Sequence, residues 1–446
     1  MLEKIIEARK SKLKLLNDSG INPYPAKAER TFSVAEALKK FFKLAVSRRK
    51  IFLAGRVTAV RDMGSVLFLD IDDGTGKIQA VVGKKNLKDF DFIKRTTDIG
   101  DFVEVSGPFF RTKKGEKSVE TRSFRILTKS IRPLPSSWYG LEDTEERFRH
   151  RYLDIFLNPE VKETLCLRSE IIKYLREKLW QEGFMEVETP ILQPIPGGAQ
   201  ARPFITRHNA LEQDFYLRIA PELYLKRLLV AGLNKVFEIG RVFRNEGIDK
   251  FHNPEFTSLE CYWAYQDYTG MLSFIEKILK KFIPGEWRRV TFSDLFERET
   301  GKSFRDFSLE KLIEIFNKEV RTKIMEPTVV LDFPETLMPL AKVKNEDKTL
   351  TESFQLIVEG AELIKAFSEM NDPIFQRKQM EEQERQYRAG NPEASRLDED
   401  FIEALEYGMP PSAGLGLGID RLVAIITKKS VKETIIFPTL RSKELN

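Results

Sequence analysis

The densest polar cluster in the chain begins in Val236-Phe-Glu-Ile-Gly-Arg-Val-Phe-Arg-Asn-Glu246, crosses the loop GIDKFHNPEF and continues through Tyr265. Both flanks have the residue pattern of strands, so the stretch reads as a hairpin. In the second strand Phe256, Ser258, Glu260 and Tyr262 fall on one face and Thr257, Leu259, Cys261 and Trp263 on the other, because side chains alternate along a strand. One face suits a core and the other suits chemistry. Taken alone, a hairpin whose polar residues meet water would explain Glu260 equally well. The loop tips the reading. Arg244 offers a guanidinium fork for a phosphate, Glu246 an acceptor for a base edge, His252 a second phosphate contact and Phe256 a ring for stacking. Together these groups suit a nucleotide.

Composition narrows the remaining chemistry. With 3 His and 2 isolated Cys the chain lacks the ligands for a zinc site and the thiols for a disulfide framework. A metal is therefore expected to be Mg²⁺ on carboxylates. The 33 Phe, 11 Tyr and nearly balanced 73 Lys and Arg against 68 Asp and Glu describe a folded chain, and 446 residues are enough for two or three domains. No run of ~18 apolar residues occurs. The start MLEKIIEARKSKLKLL breaks each apolar stretch with charge, so neither a membrane span nor a signal peptide is expected and a cytoplasmic location follows. The net charge of +5 is unevenly placed: residues 1–50 carry 13 Lys and Arg against 5 Asp and Glu, which leaves the remainder acidic. A basic amino end is what a landing surface for a polyanion looks like, although a solvated Lys-rich helix has the same composition.

These residues need elements to hold them. Residues 3–19 space Ile5, Ile6, Leu13 and Leu16 as an amphipathic helix that Asp18-Ser19-Gly20 ends. From about residue 50 the pattern changes to β-rich runs: IFLAGRVTAV, SVLFLDIDD, GTGKIQAVVG, DFVEVSGPFFRT and SVETRSFRILTKS. Five such runs with a Gly-rich hairpin near Asp73-Gly74 predict a five-stranded oligonucleotide-binding barrel over 49–135, after a basic helix and linker over 1–48. A linker at Pro133 and Pro135 leads into 136–446. There residues 161–182 repeat Leu165, Ile171, Ile172, Leu175 and Leu179 along one helical face up to Gly183. Beyond it strands and helices alternate without a βαβ period, which predicts an α+β domain with an antiparallel sheet flanked by helices. No GxGxxG follows a strand in the early chain, which disfavours a dinucleotide-binding domain, and the late run Gly414-Leu-Gly-Leu-Gly418 matches a lone glycine pattern weakly.

The hairpin FRNEGIDKFHNPEFTSLECYWAY resembles motif 2 of the class II aminoacyl-tRNA synthetases, GLGLGIDRLV at 414–423 resembles their motif 3, and the helix of 161–182 with GFMEVETP resembles motif 1. Three separate motifs in the right order are specific. GGAQARPFITRHNALEQDFYLRIAPELYLKRL and FSEMNDP are similar to the lysine-specific family, and the resemblance extends over nearly the whole chain, barrel included. It implies that lysine and ATP are substrates, that Mg²⁺ assists, that the tRNA for lysine is the partner and that the chain pairs as a homodimer. An amphipathic helix buried within one subunit would fit the motif 1 pattern equally well.

The same resemblance implies roles. Arg244 binds the α-phosphate as the substrate carboxylate attacks. Glu246 reads the adenine amino group, His252 lies near the terminal phosphates with Asn253 beside it, and Phe256 stacks one face of adenine. Arg421 covers the other face and reaches the γ-phosphate. For lysine, the α-amino group meets Glu222 and the carbonyl of Gly198, and the ε-ammonium meets Glu369 and the Tyr262 hydroxyl, with Glu260 and Phe367 completing the pocket. In the barrel, Phe68, Gln79 and Glu116, with Arg61 nearby, are the anticodon-binding positions; Phe68 as plain barrel core is the competing reading. Two positions depart from the family pattern. Its metal-binding strands usually offer two glutamates where this chain has Glu362 and the weaker ligand Gln355. An Asn usually contacts the substrate carboxylate where this chain has Lys365. These departures bear on the number of Mg²⁺ ions, and they are the sole support for a catalytically silent, synthetase-like RNA-binding protein. A paralogue that transfers lysine to a protein usually lacks the barrel. An aspartate or asparagine enzyme needs a different pocket, since Glu369 repels aspartate.

Overall fold

Along Val66–Asp72 (β2) inward residues Leu67, Leu69 and Ile71 alternate with more open ones, so the strand shows one face to a core. It is joined by β1 (Phe52–Asp62), β3 (Lys77–Gly83), β4 (Phe102–Ser106), β5 (Phe109–Arg111), β6 (Lys117–Thr121) and β7 (Ser123–Thr128) in the order β5-β6-β3-β2-β1-β4-β7. Seven strands stand where five runs were expected, because two of the runs are interrupted. Pro108 has no N–H to give a ladder, and Arg122 turns its N–H to Ser106 O at 2.8 Å. Each of the last two runs is therefore one bent strand in two halves. β4 pairs with β7 and β5 with β6, while β4 borders β1 and β6 borders β3, so the row closes into a barrel of five runs.

Part of the expected linker joins this core. The helices Val34–Lys39 and Phe41–Val46 send Val34, Ala37, Phe41 and Leu44 into the barrel interior. The first begins with a reciprocal Ser33–Glu36 capping box. The basic helix Leu2–Asp18 is fastened by Arg9, which donates to Ile99 O at 2.8 Å and to Ser130 O and Arg132 O at 3.1 Å. The computed structural model describes residues 2–46, 50–135, 143–391 and 393–442, and residues 48, 49 and 136, where domain boundaries were expected, lie outside these. Two compact units result, Met1–Leu157 and Asn158–Asn446. No helix among the described residues is long and apolar enough to cross a membrane.

The second unit is built on β8 (Met185–Glu186), β12 (Lys235–Phe243), β13 (Glu255–Ala264), β14 (Arg288–Thr291), β15 (Thr328–Leu331), β16 (Ser353–Val358), β17 (Ala361–Ser368) and β18 (Ser412–Gly418). A small sheet of β9 (Leu192–Gln193), β10 (Ile205–His208) and β11 (Gln213–Leu217) stands apart. The large sheet runs β14-β15-β16-β17-β18-β13-β12-β8, antiparallel from β15 to β12 as expected. Its outermost pairs are parallel, which makes it mixed at the edges. The helix read over 161–182 is Pro159–Gln181, and Val161, Thr164, Arg168, Ile171, Leu175 and Leu179 are its buried residues, three or four apart. With the helix Tyr268–Leu279 it covers one face of the sheet, against Leu259, Cys261, Leu415 and Leu417. Each such buried aliphatic side chain contributes ~1.5–3 kcal/mol. The helix Glu222–Val230 and the helical stretch 309–323 border a cavity on the opposite face.

Candidate active site

The cavity, of about 450 Å³, takes its floor from β13, β16, β17 and β18. Alternation along β13 sends Phe256, Ser258, Glu260 and Tyr262 into it and leaves Thr257, Leu259 and Cys261 buried behind, as the spacing predicts.

One end is cationic. Arg244 enters just after β12; its Nε and Nη2 reach Ile219 O at 3.4 Å and its Cζ lies 5.2 Å from the centre of the Phe256 ring. The side chain keeps some surface open to the cavity yet lies deep. Burial lowers its pKa, against the pull of Glu246, Glu260 and Glu362. Arg421, in the first turn of the helix Ile419–Thr427, donates to Glu362 O at 2.8 Å and stands 3.0 Å from His252 Nε2. His252 Nδ1 is 2.8 Å from Asp249, so Nδ1–H donates there and Nε2 is free to accept from Arg421. Asn253 is buried. Its Nδ2 donates to Glu255 O at 2.6 Å, and its Oδ1 has no partner among the described residues. Glu246 is exposed at the rim.

The other end is acidic and buried. Glu222, Glu260 and Glu369 converge there with Tyr262, whose hydroxyl donates to Glu260 at 3.2 Å, and with Phe367. Burial, followed by the charge of Glu222, pushes the Glu260 carboxyl up to about 8. Two glycines make the crowding possible. Gly198 has φ 86°, and a Cβ there would lie 2.8 Å from Glu222 Cβ; at Gly414 a Cβ would lie 2.0 Å from a Glu369 oxygen and 2.5 Å from the Tyr262 ring. The glycine run of 414–418 thus sits in a central strand and leaves room for acids.

Between the acids stands Lys226, which the sequence did not single out. It is fully buried, donates to Glu222 at 2.6 Å, pairs with Glu369 and lies 5.5 Å from the Phe367 ring centre. Burial would lower its pKa, but the two carboxylates outweigh burial and raise it. Its hydrogen bond goes to Glu222. Both Glu369 oxygens are left without an aligned donor among the described residues, and burial raises that carboxyl in spite of Lys226. Three acids against one resident ammonium leave acceptors for a ligand with two cationic groups.

Gln355 and Lys365 face each other across β16 and β17, and both line the cavity with Glu362. Gln355 Oε1 is buried and accepts nothing among the described residues. No group of three His, Cys, Asp or Glu among the described residues is arranged to hold a metal ion. A further ion pair fastens the site from behind: Arg168 meets Asp420 at 2.6 Å and Thr257 Oγ1 at 2.9 Å, and Asp420 accepts from Thr257 N–H at 2.6 Å. The helix Pro159–Gln181, β13 and the helix Ile419–Thr427 are locked together by it. The signal was present in the sequence, since Arg168 falls on the helix's inward spacing.

In the first unit Phe68 lies on the half-open face of β2 while Leu67 and Leu69 fill the core, which sets aside the plain-core reading. Arg61 is its register partner on β1 and reaches Asp70 at 3.0 Å. Gln79 is buried and its Oε1 accepts from Ser118 at 3.0 Å, which leaves its N–H groups as the available edge; Glu116 is exposed.

A family model described as tRNA synthetases class II (D, K and N) matches residues 143–441, and one described as an OB-fold nucleic acid binding domain matches residues 51–127. Proteins named lysine–tRNA ligase are similar over nearly their whole length. That of Pelotomaculum thermopropionicum is 43% identical, covering 99% of this chain and 96% of its own. That of Carboxydothermus hydrogenoformans is 44% identical with 99% of both covered, and that of Bacillus subtilis is 40% identical with 98% and 97% covered. Three motifs fastened around one cavity, a barrel before them and similarity of this extent lead to one conclusion: the chain belongs to the class II lysine–tRNA ligases.

Proposed function

We propose that the cavity joins lysine to ATP, giving lysyl-adenylate and pyrophosphate, and then passes the lysyl group to the terminal ribose of the tRNA for lysine. The observation that supports this reading is the polarity of the cavity, with arginines and a stacking ring at one end and buried acids at the other. In the first step a lysine carboxylate oxygen attacks the α-phosphorus. The new P–O bond forms as the bond to the bridging oxygen breaks, and pyrophosphate leaves with that electron pair. Arg244 stabilises the charge that builds on the α-phosphate, and Phe256 holds the adenine between itself and Arg421. Glu246 accepts from the adenine amino group, and His252, oriented by Asp249, stands near the terminal phosphates with Asn253. Glu222 and the Gly198 carbonyl receive the α-ammonium; Glu369 and Tyr262 receive the ε-ammonium, with Glu260 and Phe367 closing the pocket. In the second step a ribose hydroxyl attacks the lysyl carbonyl, gives up its proton and displaces AMP. No side chain has to become a nucleophile, so positioning accounts for much of the rate.

Mg²⁺, when bound, supplies positive charge to the phosphates. The Glu362 carboxylate and the unpartnered Gln355 oxygen suit an ion that keeps most of its ligands as water and phosphate. Lys365 would lie beside the substrate carboxylate. In the barrel, Phe68, Arg61, Gln79 and Glu116 would take the anticodon. A homodimer in the cytoplasm completes the reading; support comes from the exposed apolar residues Trp180, Met185, Ile191 and Leu192 at and after the end of the helix Pro159–Gln181. ATP–pyrophosphate exchange measured across the amino acids, followed by tRNA charging, tests the function. Lysine alone should support exchange, and exchange with another amino acid at a comparable rate would refute the assignment.

A further inference from the structure

The helical stretch that borders the cavity takes three pitches in succession. It is α-helical over Leu309–Ile315, π-helical over Phe316–Val320 and 3₁₀ over Arg321–Lys323. π turns inside helices often mark functional positions, because they shift the side chains that follow. Here Ile313, Phe316, Asn317 and Arg321 all reach the cavity. The stretch is firmly seated. Phe316, Val320 and Ile324 belong to a buried cluster with Phe292 and Phe333, and the β16–β17 turn bonds to it through Glu359 N–H to Met325 O at 3.1 Å and Gly360 N–H to Ile324 O at 2.7 Å. Arg321 is thereby fixed close to Glu362, near the start of β17.

Among the described residues no side-chain hydrogen bond or ion pair accounts for the placement of Arg321. Its Nε is buried and donates to nothing among the described residues, and burial lowers its pKa, with Glu362 pulling the other way and Arg421 adding to the drop. Arg244 feels the same two neighbours, Glu362 and Arg421. Glu362 is therefore shared by three guanidiniums, though Arg244 also has Glu246 and Glu260 near it, and even the closest approach of Arg421 to Glu362 is a loose 3.9 Å. Like charges held together in a partly dry cavity are costly unless an anion of matching charge joins them. A single carboxylate or an α-phosphate carries too little charge. A polyphosphate chain carries enough, and guanidiniums suit it because each can donate a pair of parallel hydrogen bonds.

We infer that Arg321 is a third arginine of the phosphate site, one that grips the terminal phosphates of the nucleotide and the pyrophosphate that leaves. This rests on the proposed reading of the cavity. Arg244, beside the stacking ring, serves the α-phosphate; Arg421 and Arg321, beside Glu362, serve the phosphates beyond it. A fixed cation there lessens the charge that Mg²⁺ must supply.

The test is calorimetric binding of inorganic pyrophosphate, α,β-methylene-ATP, AMP and lysine to the full chain, with and without Mg²⁺, for the parent, Arg321→Gln, Arg321→Lys and Arg421→Ala. Arg321→Gln should weaken pyrophosphate and α,β-methylene-ATP at least tenfold, most of all without Mg²⁺, and leave AMP and lysine within twofold of the parent. Arg321→Lys should recover part of the loss, and it gives the answer should the glutamine variant fail to fold. The inference is overturned if Arg321→Gln, or in its place Arg321→Lys, binds pyrophosphate as the parent does while Arg421→Ala does not. If Arg421→Ala also binds it unchanged, the nucleotide reading of the cavity falls, and the inference with it.

Discussion

Glu369 and Lys226 mark how far residue types alone can be read. The acid in FSEMNDP is singled out by the family resemblance, and a carboxylate there suits an ammonium. Lys226 is not singled out, because lysine on a helix ordinarily faces water and only the fold reveals two carboxylates on either side of it. The pairing still leaves Glu369 short of a donor, so removing this acid should be felt by the substrate. Glu369→Ala should lower lysine activation by two decades or more, as expected when one member of a buried charge pair worth ~3–5 kcal/mol is lost. Activation within threefold of the parent in ATP–pyrophosphate exchange would refute its role. The raised carboxyl of Glu260 adds a pH signature. Burial pushes this group up to about 8, against 4.5 for an ordinary glutamate, which favours the protonated carboxyl at pH 7. An arriving ammonium favours the carboxylate and expels that proton. Lysine binding at pH 7 should therefore release protons, seen as a binding enthalpy that varies with the ionisation enthalpy of the buffer, and the release should shrink as the pH rises through about 8. A buffer-independent enthalpy at pH 7 would show that the acid is already ionised.

At the scale of elements, period and alternation were legible wherever one face is buried. The helix Pro159–Gln181 and the two faces of β13 follow their residues closely. The breaks at Pro108 and Arg122 were not, because each depends on a partner strand that the sequence does not order. The same holds for the π turn before Arg321, whose Phe316 and Val320 pack into a cluster drawn from distant segments. What joins the elements is testable through Arg168 and Asp420. Asp420→Ala leaves a guanidinium buried without its counter-ion and should destabilise the chain by ~3–5 kcal/mol in urea unfolding; a loss under ~1 kcal/mol would mean that the motifs are held by packing alone. The β16–β17 pair carries a subtler expectation. On the proposed reading Gln355 would be a neutral ligand where the family resemblance leads one to expect a charged one, and Lys365 across the ladder would offset part of the weaker metal binding with its own ammonium. Gln355→Glu and Lys365→Asn, made singly and together, should be non-additive by ~0.5–3 kcal/mol in adenylate formation, with a steeper Mg²⁺ dependence in the double variant. Additive effects with an unchanged Mg²⁺ curve would remove the compensation.

For the whole molecule, the uneven charge read from the sequence falls in the first compact unit, together with the barrel. The helix Leu2–Asp18 is anchored from its inner side by Arg9 and by Lys12, which meets Asp98 at 2.6 Å. Lys4, Lys10 and Lys14 stay exposed, and the pairs Lys10–Glu7 and Lys14–Asp18 are surface ion pairs worth ~0–1 kcal/mol, too weak to withhold these ammoniums from a phosphate backbone. The composition could not choose between a landing surface and a merely solvated helix. The fold narrows the choice by fastening the helix to the barrel unit, so that its exposed lysines have a fixed direction relative to Phe68. If this face meets tRNA, substituting Lys4, Lys10 and Lys14 with Gln should weaken tRNA binding and reduce the slope of log affinity against log salt, by up to about one for each of these lysines that meets a phosphate. Lysyl-adenylate formation, which the proposed reading assigns to the cavity of the second unit, should stay at the parent rate. Equal affinity and equal slope in the triple variant would return the helix to the solvated reading and leave tRNA binding to the barrel alone.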